Sequence, residues 1–395
     1  MNAERDTKLI VALAIAQTIV WAGLFYIFPI MILRWENSFE WSRDKVALAL
    51  TLALFCAAFA APVAGRIIDR GGAKLLMTGS AILGAFGLVC LSLTQGYPLF
   101  LLFWAIIGIS CAGCLYEPCF AFITRVKGSE ARKAITIVTL IAGFASTLCY
   151  PVADYLASNY GWRVALQCFA ALIVTVAVPL FWYSIGRLGF NAPPRATKMQ
   201  SAPPEGVFVS QLFWVLTFSF VAIALTQGMI ITHIIPILHE RQVSPAQAVL
   251  AASLVGPMQV AGRLVIMTFA KSLSAFAIIR LSFIGLTASA LLLLSMTSSD
   301  WRLFGFVFLL GGCYGVVSVL RPVLTLELLG QQGFGQISGV MAGPYAIAIA
   351  IAPFLAVMLW RVGGYDLTLI ICAVFSVMAL ALAWAAKALY VQNPD

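Results

Sequence analysis

Two dipeptides hold the residues of this chain best placed to do chemistry. Glu117-Pro118 lies within one long apolar stretch and Arg321-Pro322 within another, at matching places in the two halves of the sequence. An ionised side chain deep in hydrocarbon is costly, and by default it marks a function. An acid in one half and a base at the matching place in the other suggest halves that meet at them. The two can pair where the halves meet and part where they separate. Glu117 is then free to take up a proton, and the planar fork of Arg321 to hold an anionic group. A static ion pair, or an arginine whose head reaches back to the headgroups, is the plainer alternative.

The elements that must position these residues are membrane helices. The chain has 395 residues, 62% hydrophobic and 10% charged, with a mean hydropathy of +1.00. A soluble domain carries about 25% charged residues, so this composition cannot cover a water-exposed surface. The apolar runs are long enough to cross about 30 Å of hydrocarbon as helices and lack the alternation of a barrel strand. Twelve spans are expected, near 9–33, 45–68, 75–94, 99–124, 134–157, 163–186, 209–238, 246–270, 276–296, 302–326, 334–359 and 366–390. The first is too long for the core of a cleaved signal peptide.

The polar segment 187–208, with Pro193-Pro194 and Pro203-Pro204, has a linker composition. It separates an N-terminal bundle at 1–186 from a C-terminal bundle at 209–395, each with six spans. The fold class is therefore all-α integral membrane, with twelve helices in two pseudo-symmetric six-helix bundles. The halves echo each other beyond the two dipeptides. Tyr160-Gly161 falls on the Gly364-Tyr365 turn, Pro29 on Pro236, and Gly65-Arg66 on Gly262-Arg263.

The net charge of +9 does not imply nucleic acid, because of where the cations lie. Sixteen of the 24 Lys and Arg fall in loops and ends assigned to one side and seven on the other, leaving Arg321 in the membrane. The positive-inside rule then places both termini in the cytoplasm of a cell with a bacterial-style inner membrane. All nine cysteines lie inside expected helices. Cys111 and Cys114 are read as small packing residues of a helix, so no metal, cofactor or disulfide is expected.

The segment Gly65-Arg66-Ile67-Ile68-Asp69-Arg70-Gly71-Gly72-Ala73-Lys74 resembles the signature loop between helices 2 and 3 of the major facilitator superfamily, G-x-x-x-D-R/K-x-G-x-K/R. Trp41-Ser42-Arg43 and Tyr160-Gly161-Trp162-Arg163 are similar to monocarboxylate-transporter-like and oxalate/formate-antiporter-like members. The resemblance implies a secondary active transporter working by alternating access, with helices 1, 4, 7 and 10 lining a central cavity, so that Glu117 and Arg321 face each other and close its inner gate. It also implies a latch in which Gly65, Asp69, Arg70, Gly72 and Lys74 take part, the acid pairing with nearby cations and a helix N-terminus. The chain departs from the pattern in places. The second copy, Gly262-Arg263-Leu264-Val265-Ile266, lacks the acid; Trp104 and Ala105 stand near the place of the drug antiporters' helix-4 arginine; and Tyr150-Pro151 replaces their Gly-Pro motif. These departures disfavour drug efflux.

Polar and aromatic residues inside the spans complete the candidate site, because polar groups avoid lipid and seek partners or water. They are Gln17, Trp21, Tyr26, Tyr116, Tyr150, Gln227, Thr232, His233, Gln259, Tyr314 and Tyr345. The expected function is proton-coupled uptake of a small organic anion such as a monocarboxylate. The alternative is a neutral aromatic or heterocyclic nutrient, such as riboflavin, held by stacking. A non-transporting receptor or sensor is the alternative of another class. The expected partners are the small-molecule substrate, protons and membrane lipid, with no nucleic acid; the protein is expected to be a monomer, and not an enzyme.

Overall fold

The structure is a computed structural model that describes residues 2–189, 206–269, 273–296, 301–330 and 334–392. Most of the expected linker, residues 190–205, lies outside the described residues. The chain divides into two compact units, Met1–Thr197 and Lys198–Asp395. The described residues are helical throughout, apart from short turns, and include no strand.

The first unit holds α1 (Arg5–Phe39), α2 (Arg43–Asp69), α3 (Ala73–Leu93), α4 (Tyr97–Lys127), α5 (Lys133–Tyr160) and α6 (Trp162–Gly189), each long and apolar enough to cross a membrane. α1 extends well past the expected 9–33 at both ends. Ion pairs make its polar ends compatible with a helix: Asp6 accepts from Lys127 on α4 at one end, and at the other Arg34 reaches Asp154 on α5 at 2.6 Å and Glu36 accepts from Arg43 at 2.7 Å. α2 packs on α4, where close approach needs a glycine. A Cβ on Gly108 would collide with the backbone carbonyl of Ala53. Beside that contact sits a ring cluster in which Trp104 lies 4.9 Å from Phe28 and 5.8 Å from Trp35. Trp104 is fully buried there.

Two π-helical turns interrupt this unit, Ala22–Tyr26 in α1 and Ile173–Ala177 in α6. They lie against each other, since a Cβ on Gly23 would lie 3.0 Å from the Ile173 side chain. Such turns insert a residue and rotate the side chains that follow, and they are frequent at functional sites.

The second unit holds α7 (Gln211–Thr232), extended past His233 by Ile234–Glu240, then α8 (Pro245–Ile266), α9 (Ala275–Ser295) and α10 (Trp301–Leu329). The helical run Phe334–Gln392 contains the last two, α11 (334–362) and α12 (365–392), which part at Gly363 and Gly364. Gly364 has φ 66°, and Gly161 at the matching turn between α5 and α6 has φ 85°. Both turns therefore use a conformation that glycine adopts readily. α8 packs on α10 as α2 does on α4, and a Cβ on Gly315 would collide with the Gln259 carbonyl.

Candidate functional site

Pro118 governs the geometry around Glu117. Proline has no N–H, and its ring crowds the carbonyl four residues back. The helical path of α4 is broken there, ending at Cys114 and resuming at Tyr116, with Leu115 extended at φ −82°, ψ −154°. The carbonyls at the break are not left bare. Gln17 on α1 donates from Nε2 to the Cys114 carbonyl at 2.8 Å and to the Leu115 carbonyl at 3.3 Å. Gln17 is fully buried.

The break gives α4 a second helix N-terminus inside the membrane-length span. Glu117 sits in the first turn of that second helix, Tyr116–Lys127. The partial positive charge of a helix N-terminus favours an anion there. Glu117 is exposed and makes no ion pair with a described residue of its own unit.

Five candidate residues of the first unit gather around this break, on α1, α4 and α5. Besides Gln17, the ring of Trp21 lies 4.8 Å from that of Tyr116 and 6.1 Å from that of Tyr26. Tyr26 lies 6.0 Å from Tyr150, which is buried. Trp21 directly precedes the π-turn and Tyr26 ends it, so the inserted residue helps bring Trp21, Phe25 and Tyr26 into mutual ring contact.

Of the candidates of the second unit, Arg321 and Tyr345 meet each other. Arg321 is half-buried on α10, with its guanidinium carbon 4.1 Å over the ring of Tyr345 on α11. No carboxylate of this unit pairs with it among the described residues. His233 is fully buried where α7 breaks, and its two ring nitrogens bridge two other elements. Nε2 lies 2.9 Å from the Pro353 carbonyl and Nδ1 3.0 Å from the Tyr365 hydroxyl. A carbonyl only accepts, so Nε2 carries the hydrogen, and in the neutral ring Nδ1 accepts from the tyrosine. Thr232 turns its hydroxyl back onto the Gly228 carbonyl at 2.6 Å. Gln227 and Tyr314 are half-buried, and Gln259 is buried on α8.

The signature loop is built around backbone as much as charge. Gly71 has φ 92°, and a Cβ on Gly72 would lie 2.7 Å from the Ile67 side chain, so the turn from α2 into α3 has little room for a side chain. Gly65, in contrast, faces open space. Arg125, at the end of α4, donates to the carbonyls of Ile68 and Asp69. It thereby adds side-chain donors at the negative end of α2, where the Ile68 carbonyl also accepts from the Gly71 N–H at 2.9 Å. The Asp69 carboxylate itself is exposed and unpaired with the described residues of its unit, as is Arg70. Lys74 lies with Nζ 3.4 Å over the ring of Trp182 on α6. Arg125 was visible in the sequence only as one loop cation among many. Its role follows from where α4 ends beside α2, which no local pattern reveals.

Comparison with known proteins bears on this geometry. A family model described as Major Facilitator Superfamily matches residues 13–353. An uncharacterised MFS-type transporter of Bacillus subtilis, YcxA, is 22% identical over 88% of this chain and 87% of its own length. The multidrug resistance protein MdtH of Aeromonas hydrophila is 30% identical, but over only 33% of this chain and 32% of its own length. Among solved structures, a bacterial homologue of the human lysosomal transporter Spinster, inward-facing and unoccupied, superposes with a TM-score of 0.73. It covers 98% of each chain at 16% identity, a likeness of fold.

Proposed function

The chain belongs to the Major Facilitator Superfamily and is a multi-pass membrane transporter, and from that premise we propose that it takes up a small organic anion, such as a monocarboxylate, together with protons. The observation that carries this reading is Arg321. Its guanidinium carbon lies 4.1 Å over the Tyr345 ring, and no acid of its own unit neutralises it among the described residues. A cation resting on a ring and unpaired with an acid keeps N–H donors with which to bind a carboxylate. Glu117 is the proposed proton carrier, an acid within a membrane-length helix that has no cation partner among the described residues of its unit. Transport would proceed by alternating access of the two six-helix units, in an inner membrane with both termini cytoplasmic, and as a monomer. The Asp69 loop would act as a latch between states.

The experiment is counterflow in proteoliposomes with lactate, pyruvate, formate and benzoate on one panel and riboflavin on the other. The reading expects carboxylates to accelerate exchange and Arg321→Lys to abolish it, because an ammonium cannot present the planar fork. A pH jump should drive uptake in the wild type and fail in Glu117→Gln. Carboxylate exchange that survives Arg321→Lys overturns the assignment.

A second reading rests on the rings of Trp21, Tyr26, Tyr116 and Tyr150 around the α4 break. Such a cluster suits a neutral aromatic or heterocyclic nutrient held by stacking. Riboflavin exchange indifferent to Arg321→Lys would favour it.

A further inference from the structure

Away from the candidate site, the second unit carries a groove of about 410 Å³ lined by Phe276, Arg280, Trp384, Lys387, Ala388 and Val391. It lies between the first turns of α9 and the last turns of α12. Both of its cations rest on aromatic faces. The Arg280 guanidinium carbon is 5.2 Å over the Trp384 ring, and the Lys387 ammonium is 5.4 Å over Phe276. No acid stands among the lining residues, and neither cation forms an ion pair with a described residue. Two like charges are thus held at one small concavity without an anion among the described residues.

The surface leading from the groove identifies the class of anion. Leu281, Ile284 and Leu291 on α9 and Val374, Val377 and Met378 on α12 are exposed apolar side chains. In a membrane protein these faces are covered by acyl chains. The groove therefore joins a cationic, ring-walled end to an apolar track, the layout of a phosphate headgroup with its tails. A soluble anion would have no use for the track.

The first unit repeats the arrangement in its own residues. Lys74 near the start of α3 lies over Trp182 on α6, and Arg187 lies 5.8 Å over the neighbouring Tyr183. These helices correspond in the repeat to α9 and α12. Exposed Trp182 and Trp384 suit a membrane interface, where such rings collect.

We propose that the groove formed by Phe276, Arg280, Trp384 and Lys387 is a binding site for the phosphate headgroup of an anionic phospholipid, whose tails lie along α9 and α12. The site is independent of the transported substrate. A basic pocket between membrane helices is a recognised way to hold such a headgroup.

The test uses the purified full-length protein in nanodiscs and by native mass spectrometry, with dioleoyl-phosphatidylglycerol, dioleoyl-phosphatidylcholine and inorganic phosphate as probes. The wild type is expected to retain phosphatidylglycerol in preference to phosphatidylcholine. Arg280→Gln with Lys387→Gln should weaken that retention about thirty-fold, on the scale of the known effect of two basic residues near an anionic surface. Arg302→Gln with Arg361→Gln removes the same net charge elsewhere and should leave it unchanged. Arg280→Lys should keep most of it, and reading only the folded monomer peak excludes misfolded protein. Equal retention by the wild type and the groove variant overturns the site. Equal losses in both double variants reduce it to a general charge effect and also overturn it. Displacement of the lipid by millimolar inorganic phosphate identifies a soluble anion as the ligand and overturns the lipid assignment.

Discussion

The side-chain amide of Gln17 hydrogen-bonds, at 2.8 Å, to the Cys114 carbonyl, the acceptor that Pro118 leaves without a helical donor. A residue on α1 thus completes a break in α4, and the break sets Glu117 at a helix start. An unmet buried acceptor costs about 1–3 kcal/mol, so this contact matters for the local path of the chain.

Gln17→Leu should lower the thermal midpoint through loss of about 1–3 kcal/mol. The same change in a Pro118→Ala background should cost much less, because residue 118 then supplies the missing N–H. Thermal unfolding of the four proteins in detergent, with hydrogen exchange of the segment 108–122, reads both effects. Equal costs in the two backgrounds would show that Gln17 does not stand in for the proline's lost donor.

Gly108→Ala should separate α2 from α4, since the added methyl group would meet the Ala53 backbone rather than a movable side chain. Overpacking of this kind costs about 1–3 kcal/mol. Gly65→Ala, in open space at the end of α2, should be close to neutral. A fluorescence thermal-shift series on the two variants checks the contrast, which fails if they melt alike.

Removing the imidazole bridge should destabilise the second unit. His233→Leu leaves the Pro353 carbonyl without that donor inside the protein, at a cost of about 1–3 kcal/mol, and Tyr365→Phe should cost less. If instead His233→Leu keeps wild-type stability but loses counterflow activity, His233 belongs to transport rather than to the scaffold.

Tyr345 should act on transport through the orientation of Arg321. Tyr345→Phe keeps the ring face and should leave carboxylate exchange within about twofold, whereas Tyr345→Ala removes a contact of about 0.5–2 kcal/mol and should raise KM about two- to thirty-fold. Concentration series of counterflow separate KM from maximal rate. A Tyr345→Ala protein with unchanged KM would detach the ring from substrate binding.

Composition and apolar run length were enough to read the helices and their number from the sequence, because a bilayer imposes one length and one polarity on every span. The turn glycines Gly161 and Gly364 were legible for a similar local reason: the repeat put them at the same turn, and both take positive φ. The interruptions were not legible. Glu117-Pro118 and Arg321-Pro322 look alike as dipeptides, yet α4 breaks and α10 runs on through Pro322. The register that aligns Pro29 with Pro236 places buried Ala224 opposite Gln17, and alanine has no side-chain donor for a freed carbonyl.

The sequence by itself determined the class of molecule, its membrane-length helices and the small set of polar residues that hydrocarbon would otherwise exclude. Only the tertiary structure decided what each of those residues touches. It put Gln17 on a helix break, His233 between Pro353 and Tyr365, Arg321 on a ring, and Arg125 on the carbonyls beside Asp69. The physical reason is the range of the interactions. Hydrophobic length and backbone propensity act within one segment and can be read along it. A hydrogen bond between residues a hundred positions apart depends on which helices pack together, and that is settled by the whole bundle.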